Sequence, residues 1–160
     1  MRHRGDAVTQ HQLSELTSVA AEIVAAATLI VKTGGQGFTE ITDDAARFIA
    51  AGARDGALLL YLRHTSASLV IQENADPDVR ADLATALDRL VPPGQPWLHD
   101  SEGPDDMPSH VRTMLTGVSL HVPVAGGALL LGHWQGIYLA EHRTSPRRRE
   151  VVLQFIGSRR

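Results

Sequence analysis

Apolar positions in this chain recur with two periods, and the switches between them divide it into elements. From Met1 to Val24 polar residues prevail, with Leu13, Leu16, Val19, Ala20 and Ile23 at helix-compatible spacing, which predicts an accessory helix or an arm (1–24) ahead of a single domain (25–160). Ala25 to Lys32 reads as a strand, and Gly34, Gly35 and Gly37 supply the turn after it. Thr42, followed by Asp43 and Asp44, has the form of a helix N-cap and first turn. Phe48 and Ile49 give that helix its buried stripe, and Gly52 its stop. The run Ala57 to Leu62 predicts a strand buried on both faces, and Ser68 to Ile71 a second strand.

Asp76 and Pro77 cap and open a second helix, with Val79, Leu83, Ala86, Leu87 and Leu90 on one face and Pro92 and Pro93 at its end. Gln95 to Met107 is too rich in Pro, Gly and acidic residues for regular structure and reads as a long loop, a place where function often resides. Pro108 opens a short third helix that Gly117 terminates. The remainder predicts strands: Val118 to Val124, Ala128 to Leu131 after a turn at Gly126 and Gly127, Gln135 to Glu141, and Glu150 to Ile156. Strands in both halves with three helices between them argue an α+β domain whose helices cover a largely antiparallel sheet.

Composition narrows the chemistry. The chain has 160 residues, 43% hydrophobic and 21% charged, which suits one folded domain. Fifteen Lys and Arg against eighteen Asp and Glu give a net charge of -3, so neither nucleic acid nor an acidic membrane surface is the expected partner. The longest nearly apolar run, Ile23 to Val31, is too short to span a bilayer and lacks a basic flank, which predicts a cytoplasmic protein. With no cysteine, any metal site must be built from His, Asp and Glu, and there are eight histidines.

His64, in His64-Thr65-Ser66-Ala67-Ser68, sits where a predicted strand runs out, and Gln72-Glu73-Asn74-Ala75-Asp76 ends the next one. The long loop carries Trp97, His99, Asp100, Glu102, Asp105 and Asp106, with His110 close behind. His64, His99 and His110, each with carboxylates nearby, form a candidate cation site suited to zinc, nickel or manganese, with one position open for water or substrate. Solvated loops also carry such residues, and spacings of thirty-five and eleven residues match no compact zinc signature. His121 alternates away from the apolar face and predicts exposure, His3 and His11 lie in the arm, and His133 flanks Trp134.

Arg143, Arg147, Arg148 and Arg149 form the one concentrated basic tract, suited to a phosphorylated small molecule or to a solvated loop before an edge strand. Of these, Arg147 and Arg149 fit either reading, whereas Arg148, Arg159 and Arg160 fit the solvated one. Phosphate-loop, dinucleotide, nucleophile-elbow and EF-hand patterns are all incomplete here.

Five passages together carry a resemblance: His64-Thr65-Ser66-Ala67-Ser68-Leu69; Glu73-Asn74 with Asp76-Pro77; His99-Asp100-Ser101-Glu102-Gly103; Asp105-Asp106-Met107-Pro108-Ser109-His110; and Leu131-Gly132-His133-Trp134-Gln135-Gly136-Ile137. From about Thr28 to Ile156 the chain resembles the YjbQ family, also described as secondary thiamine-phosphate synthase enzymes. The resemblance implies a mixed, largely antiparallel sheet curled into a half-barrel, covered by helices and assembled as a homotrimer. It implies a site holding the three motif histidines, with metal in some members. It also implies a weak thiamine phosphate synthase activity that joins hydroxymethylpyrimidine diphosphate to thiazole phosphate and releases diphosphate. The arm before Ala25 has no family counterpart, and His133 stands where the family usually has threonine.

The resulting expectation is a transferase in which His64, His99 and His110 hold a divalent metal (zinc, magnesium or manganese). His64, Glu73 and Asp105 serve catalysis or orientation; Arg143 and Arg147 contact phosphate; Trp134 and Gln135 shape the pocket. A binding module for a metal or phosphometabolite without turnover, and a metal-dependent hydrolase, are the alternatives.

Overall fold

The structure, a computed structural model, describes residues 12–160; the assignments of His3 and His11 to the arm lie outside the described residues. Residues 12–22 carry no helix: Leu13 and Leu16 are almost fully exposed, so the apolar spacing read there has nothing to pack against. Regular structure starts at β1 (Ile23–Thr33) and continues through β2 (Gly37–Glu40), α1 (Thr42–Ala50), β3 (Ala53–Leu62) and β4 (Ala67–Glu73). It then runs through α2 (Pro77–Leu90), α3 (Asp106–Thr116), β5 (Ser119–Ala125), β6 (Ala128–Leu129), β7 (Gln135–Glu141) and β8 (Arg147–Arg159).

The strands form two antiparallel sheets, of order β1-β8-β3-β5-β6 and β2-β7-β4, curled into a half-barrel with three helices. Every strand pair among the described residues is antiparallel, so the mixed pairing expected for the sheet is absent there. Alternation sorts each strand between core and surface. Leu58, Leu60 and Leu62 of β3, Val122 and Val124 of β5, and Val151, Leu153 and Phe155 of β8 face the same core as Leu69 of β4 and Ile137 and Leu139 of β7. Ile41, Ala45 and Ile49 bring α1 into it.

Several expectations need correction. β3 is buried on one face only: Tyr61 is 48% exposed and Ala57 lies open, because no element among the described residues covers that side of the larger sheet. β7, by contrast, is buried from Gly136 to Glu141 on both faces. Thr42 is the first helical residue rather than the cap, and its hydroxyl donates to Glu40 Oε1 (2.8 Å) and accepts from the Ile137 N–H (2.9 Å). Asp76 does cap α2, accepting from the Asp78 N–H at 2.9 Å, but α2 buries no residue fully and Leu90 is exposed. α3 starts at Asp106, two residues before Pro108, and β8 extends three residues further than expected at each end. His121 is exposed, as its alternation predicts.

Candidate metal centre

Five strand and helix ends meet at one end of the small sheet. Ala67 of β4 pairs with Glu141 of β7 there, Thr33 ends β1 beside Arg147 of β8, and α3 begins nearby. α3 is tied to β4 by the Thr113 hydroxyl, which donates to the Ala67 carbonyl at 3.2 Å, and by the Thr116 hydroxyl on Ser68 Oγ at 2.7 Å. Asp106 and His110 are four residues apart on α3 and therefore share a face, and the loop before the helix lays His99 across them.

Asp106 Oδ2 is 2.8 Å from His99 Nε2 and 3.3 Å from His110 Nε2. One nitrogen from each ring and one carboxylate oxygen all lie within 4.8 Å of one another. Asp106 is buried, with its side chain 3% exposed, whereas the His99 and His110 side chains are 43% and 32% exposed, so the group opens to solvent on the imidazole side. His110 Nδ1 lies 2.8 Å from the Thr65 carbonyl oxygen. A carbonyl only accepts, so Nδ1 carries a proton, and the neutral form of the ring presents its Nε2 lone pair toward Asp106 and His99.

Asp106 is held from behind. Its Oδ1 pairs with Arg143 Nη1, while Arg143 Nε donates to Asp105 Oδ2 (3.2 Å) and Nη2 to the Glu102 carbonyl (2.7 Å). Asp105 Oδ2 also accepts from the Thr144 N–H (2.8 Å) and hydroxyl (2.9 Å). Burial pushes the Asp105 carboxyl up, but the Thr144 hydrogen bonds and Arg143 outweigh it and hold the group below its ordinary value. Asp105 is thus an ionised anchor for Arg143, which corresponds to the orienting role expected of it rather than to the alternative of proton transfer.

Beneath this lies a buried ion pair. Arg149 grips Glu141 with Nε on Oε2 (2.7 Å) and Nη2 on Oε1 (2.6 Å), while Thr33 Oγ1 and the Arg143 N–H donate to the same carboxylate (both 2.9 Å). Burial raises the Glu141 carboxyl, and these four bonds bring it below its ordinary value. Arg149 is therefore committed to the fold rather than to a ligand.

Of the three expected imidazoles, the structure brings together His99 and His110, and Asp106 takes the third place. His64 is outside the group: its Nε2 accepts from the Glu150 N–H at 2.9 Å, the nitrogen being drawn to β8 instead. Burial and the Arg149 charge lower its pKa. Arg143 is buried in its three-point clasp and unavailable for phosphate, whereas Arg147, whose side chain makes no ion pair among the described residues, pairs with Thr33 at this same end of the strands. Glu73, Trp134 and Gln135 lie at the opposite end of the small sheet, where Glu73 pairs with Gln135, about 20 Å along β4 from Ala67. They line a separate open cavity of about 470 Å3, and His133 meets Trp134 edge-to-face as expected. Asp106, His142 and Glu141 are absent from the site residues expected from the sequence; the i, i+4 spacing of Asp106 and His110 is the signal that marks the first of them.

The donor set, two imidazole nitrogens and one carboxylate oxygen, fits a zinc or manganese ion and suits magnesium poorly, since magnesium favours oxygen ligands. No described helix is long and apolar enough to cross a membrane.

Comparison with known proteins agrees with this architecture. A UPF0047 protein of Synechocystis is 51% identical over 108 residues, covering 67% of this chain and 74% of its own. The UPF0047 protein YjbQ of Salmonella typhimurium is 42% identical over 132 residues, covering 81% and 96%. Among solved structures, a YjbQ/UPF0047 family protein of Clostridium acetobutylicum superposes with a TM-score of 0.76 at 34% identity, covering 81% of this chain and 99% of its own. A hypothetical protein of Aeropyrum pernix gives 0.77 at 30%, covering 84% and 99%. The family model described as UPF0047 protein YjbQ-like matches residues 27–158, and with it the chain belongs to the YjbQ/UPF0047 family.

Proposed function

We propose that the protein is a divalent-cation-dependent transferase acting on small phosphorylated molecules, with His99, Asp106 and His110 as the cation ligands. The observation that carries this reading is the His110 ring, whose Nδ1 is held by the Thr65 carbonyl so that Nε2 faces Asp106 and His99. Such a carbonyl bond is the usual device for fixing a ligand imidazole. When bound, a zinc or manganese ion supplies charge neutralisation to an anionic oxygen of a leaving group.

The chain's own residues supply the rest. Arg143 orients Asp106, Asp105 and Thr144 fix Arg143, and the exposed sides of His99 and His110 leave room for a substrate oxygen. Arg147 is the residue proposed to bind a phosphate here, supported by its pairing with Thr33 at this end of β8. The family names state no reaction, so the thiamine phosphate synthase assignment rests on the resemblance of the sequence motifs and on this phosphate-compatible geometry.

Metal-replete protein supplied with hydroxymethylpyrimidine diphosphate and thiazole phosphate is expected to release diphosphate and form thiamine phosphate, with His99→Ala inactive. Binding of either compound without product would identify a binding module, and release of product from generic phosphoesters a hydrolase; both overturn the transferase. Association as a homotrimer belongs to the same proposal, supported by the half-exposed Tyr61 and Ile156 on the open face of the larger sheet. Light scattering giving a monomer would remove it.

A further inference from the structure

Thr65, whose carbonyl oxygen fixes the His110 ring, is exposed and lies in the irregular segment between the end of β3 at Leu62 and the start of β4 at Ala67. Outside a strand ladder, a carbonyl keeps one direction only where other groups hold the chain around it. On one side the Arg63 N–H donates to the Glu150 carbonyl at 3.1 Å. On the other, Arg149 Nη2 donates to the Ser66 hydroxyl (3.1 Å) and the Ser66 carbonyl (3.3 Å), and the Thr113 hydroxyl of α3 holds the Ala67 carbonyl. The Thr65 carbonyl and the Ser66 nitrogen belong to one planar peptide unit, so holding Ser66 limits the turning of that carbonyl.

Arg149 has one direction because Glu141 gives it one. Both carboxylate oxygens grip the planar guanidinium, and both side chains are buried, so Nη2 bridges Glu141 Oε1 and Ser66 in a fixed fork. The same Glu141 Oε1 accepts from the main-chain N–H of Arg143, the residue whose guanidinium holds Asp106 Oδ1. Two lines of hydrogen bonds thus start at one buried carboxylate. One runs through Arg149, Ser66 and Thr65 to His110, and the other through Arg143 to Asp106.

We infer that Glu141 and Arg149 are positioning residues of the cation centre, Arg149 setting the His110 tautomer through Ser66 and the Thr65 carbonyl, a role that rests on the reading of His99, Asp106 and His110 as ligands. Neither residue of the pair belongs to the ligand group. A pair that served the fold alone would stabilise it and leave the proton of the His110 ring where it is; a positioning pair moves that proton when it is loosened.

The test reads the histidine ring nitrogens of the metal-free full chain by NMR at about pH 8, where an ordinary imidazole is neutral, and zinc affinity by calorimetry. In the unsubstituted protein His110 is expected to carry its proton on Nδ1 alone. Arg149→Lys keeps a positive charge beside Glu141 but puts one ammonium in place of the fork, which cannot hold Glu141 and Ser66 in the same way. It is expected to give His110 a mixture of both tautomers and to weaken zinc binding about tenfold, the lower end for a residue behind a ligand imidazole. Ser66→Ala removes one of the two Arg149 bonds from a half-buried side chain; it should act in the same direction, about threefold on zinc, and decides the matter if Arg149→Lys does not fold. Ile49→Val, in the core on α1, an element absent from the site, lowers stability and should change neither reading. An unmoved tautomer or unchanged zinc affinity in the folded variants, a His110 ring protonated on Nε2 in the unsubstituted chain, or an equal effect of Ile49→Val overturns the proposal alone. Absence of zinc binding to the unsubstituted chain overturns the ligand reading, and the proposal with it.

Discussion

Asp106 divides its two carboxylate oxygens between opposite tasks: Oδ1 is paired with Arg143, and Oδ2 faces His99 and His110. Replacing it with asparagine keeps the shape and removes the charge. Asp106→Asn should abolish cation binding and cost about 1–3 kcal/mol, below the full price of a broken buried pair because Arg143 keeps Asp105 and the Glu102 carbonyl. Metal analysis with denaturant midpoints checks both; full cation occupancy in the variant would show that Asp106 is not a ligand.

His64 and His99 separate what the motifs suggested from what the geometry brings together. Since His64 Nε2 serves the Glu150 N–H, His64→Ala should retain the cation, whereas His99→Ala should lose it. Calorimetric titration of both variants with zinc distinguishes them, and loss of binding in His64→Ala alone would reverse the assignment.

Much of this architecture is legible in the sequence because it depends on local periodicity. β7 was read to the residue, and Asp76-Pro77 marks the start of α2 through capping chemistry that acts over two residues. The site was legible only in its residue types. Whether His64 or Asp106 stands beside His99 depends on how β8 runs past the end of β3, a contact 86 residues apart that no spacing rule encodes. Burial was likewise hidden: Arg143 and Arg149 look like free surface charge in a basic tract, yet each has a carboxylate partner waiting inside the fold.

The Glu141–Arg149 pair should govern acid stability near this site. Its carboxyl is depressed in the folded state, so it contributes stability above the ordinary glutamate range, and that contribution is lost as pH falls through the lower folded value. Glu141→Gln leaves Arg149 buried without its counter-charge and should cost about 3–5 kcal/mol at pH 7, less at acid pH. Urea unfolding at pH 7 and at acid pH measures it; an equal loss at both would contradict the pairing.

His142 has the same direction of pH dependence for a different reason. Its folded value, lowered to about 4 from 6.5, means that the unfolded chain takes up a proton first. Stability should therefore fall as pH drops from about 6.5 to 4, by roughly 3 kcal/mol in all. His142→Gln should flatten that slope in urea midpoints, and an unaltered slope would assign it to other groups.

An anomalous-difference map from crystals grown with zinc addresses the cation centre directly. The expected result is one peak about 2.0–2.2 Å from His99 Nε2, Asp106 Oδ2 and His110 Nε2 together, with Nδ1 of His110 still on the Thr65 carbonyl. A zinc ion ordered on His64 without these three, or no ion between them at saturating zinc, would contradict it.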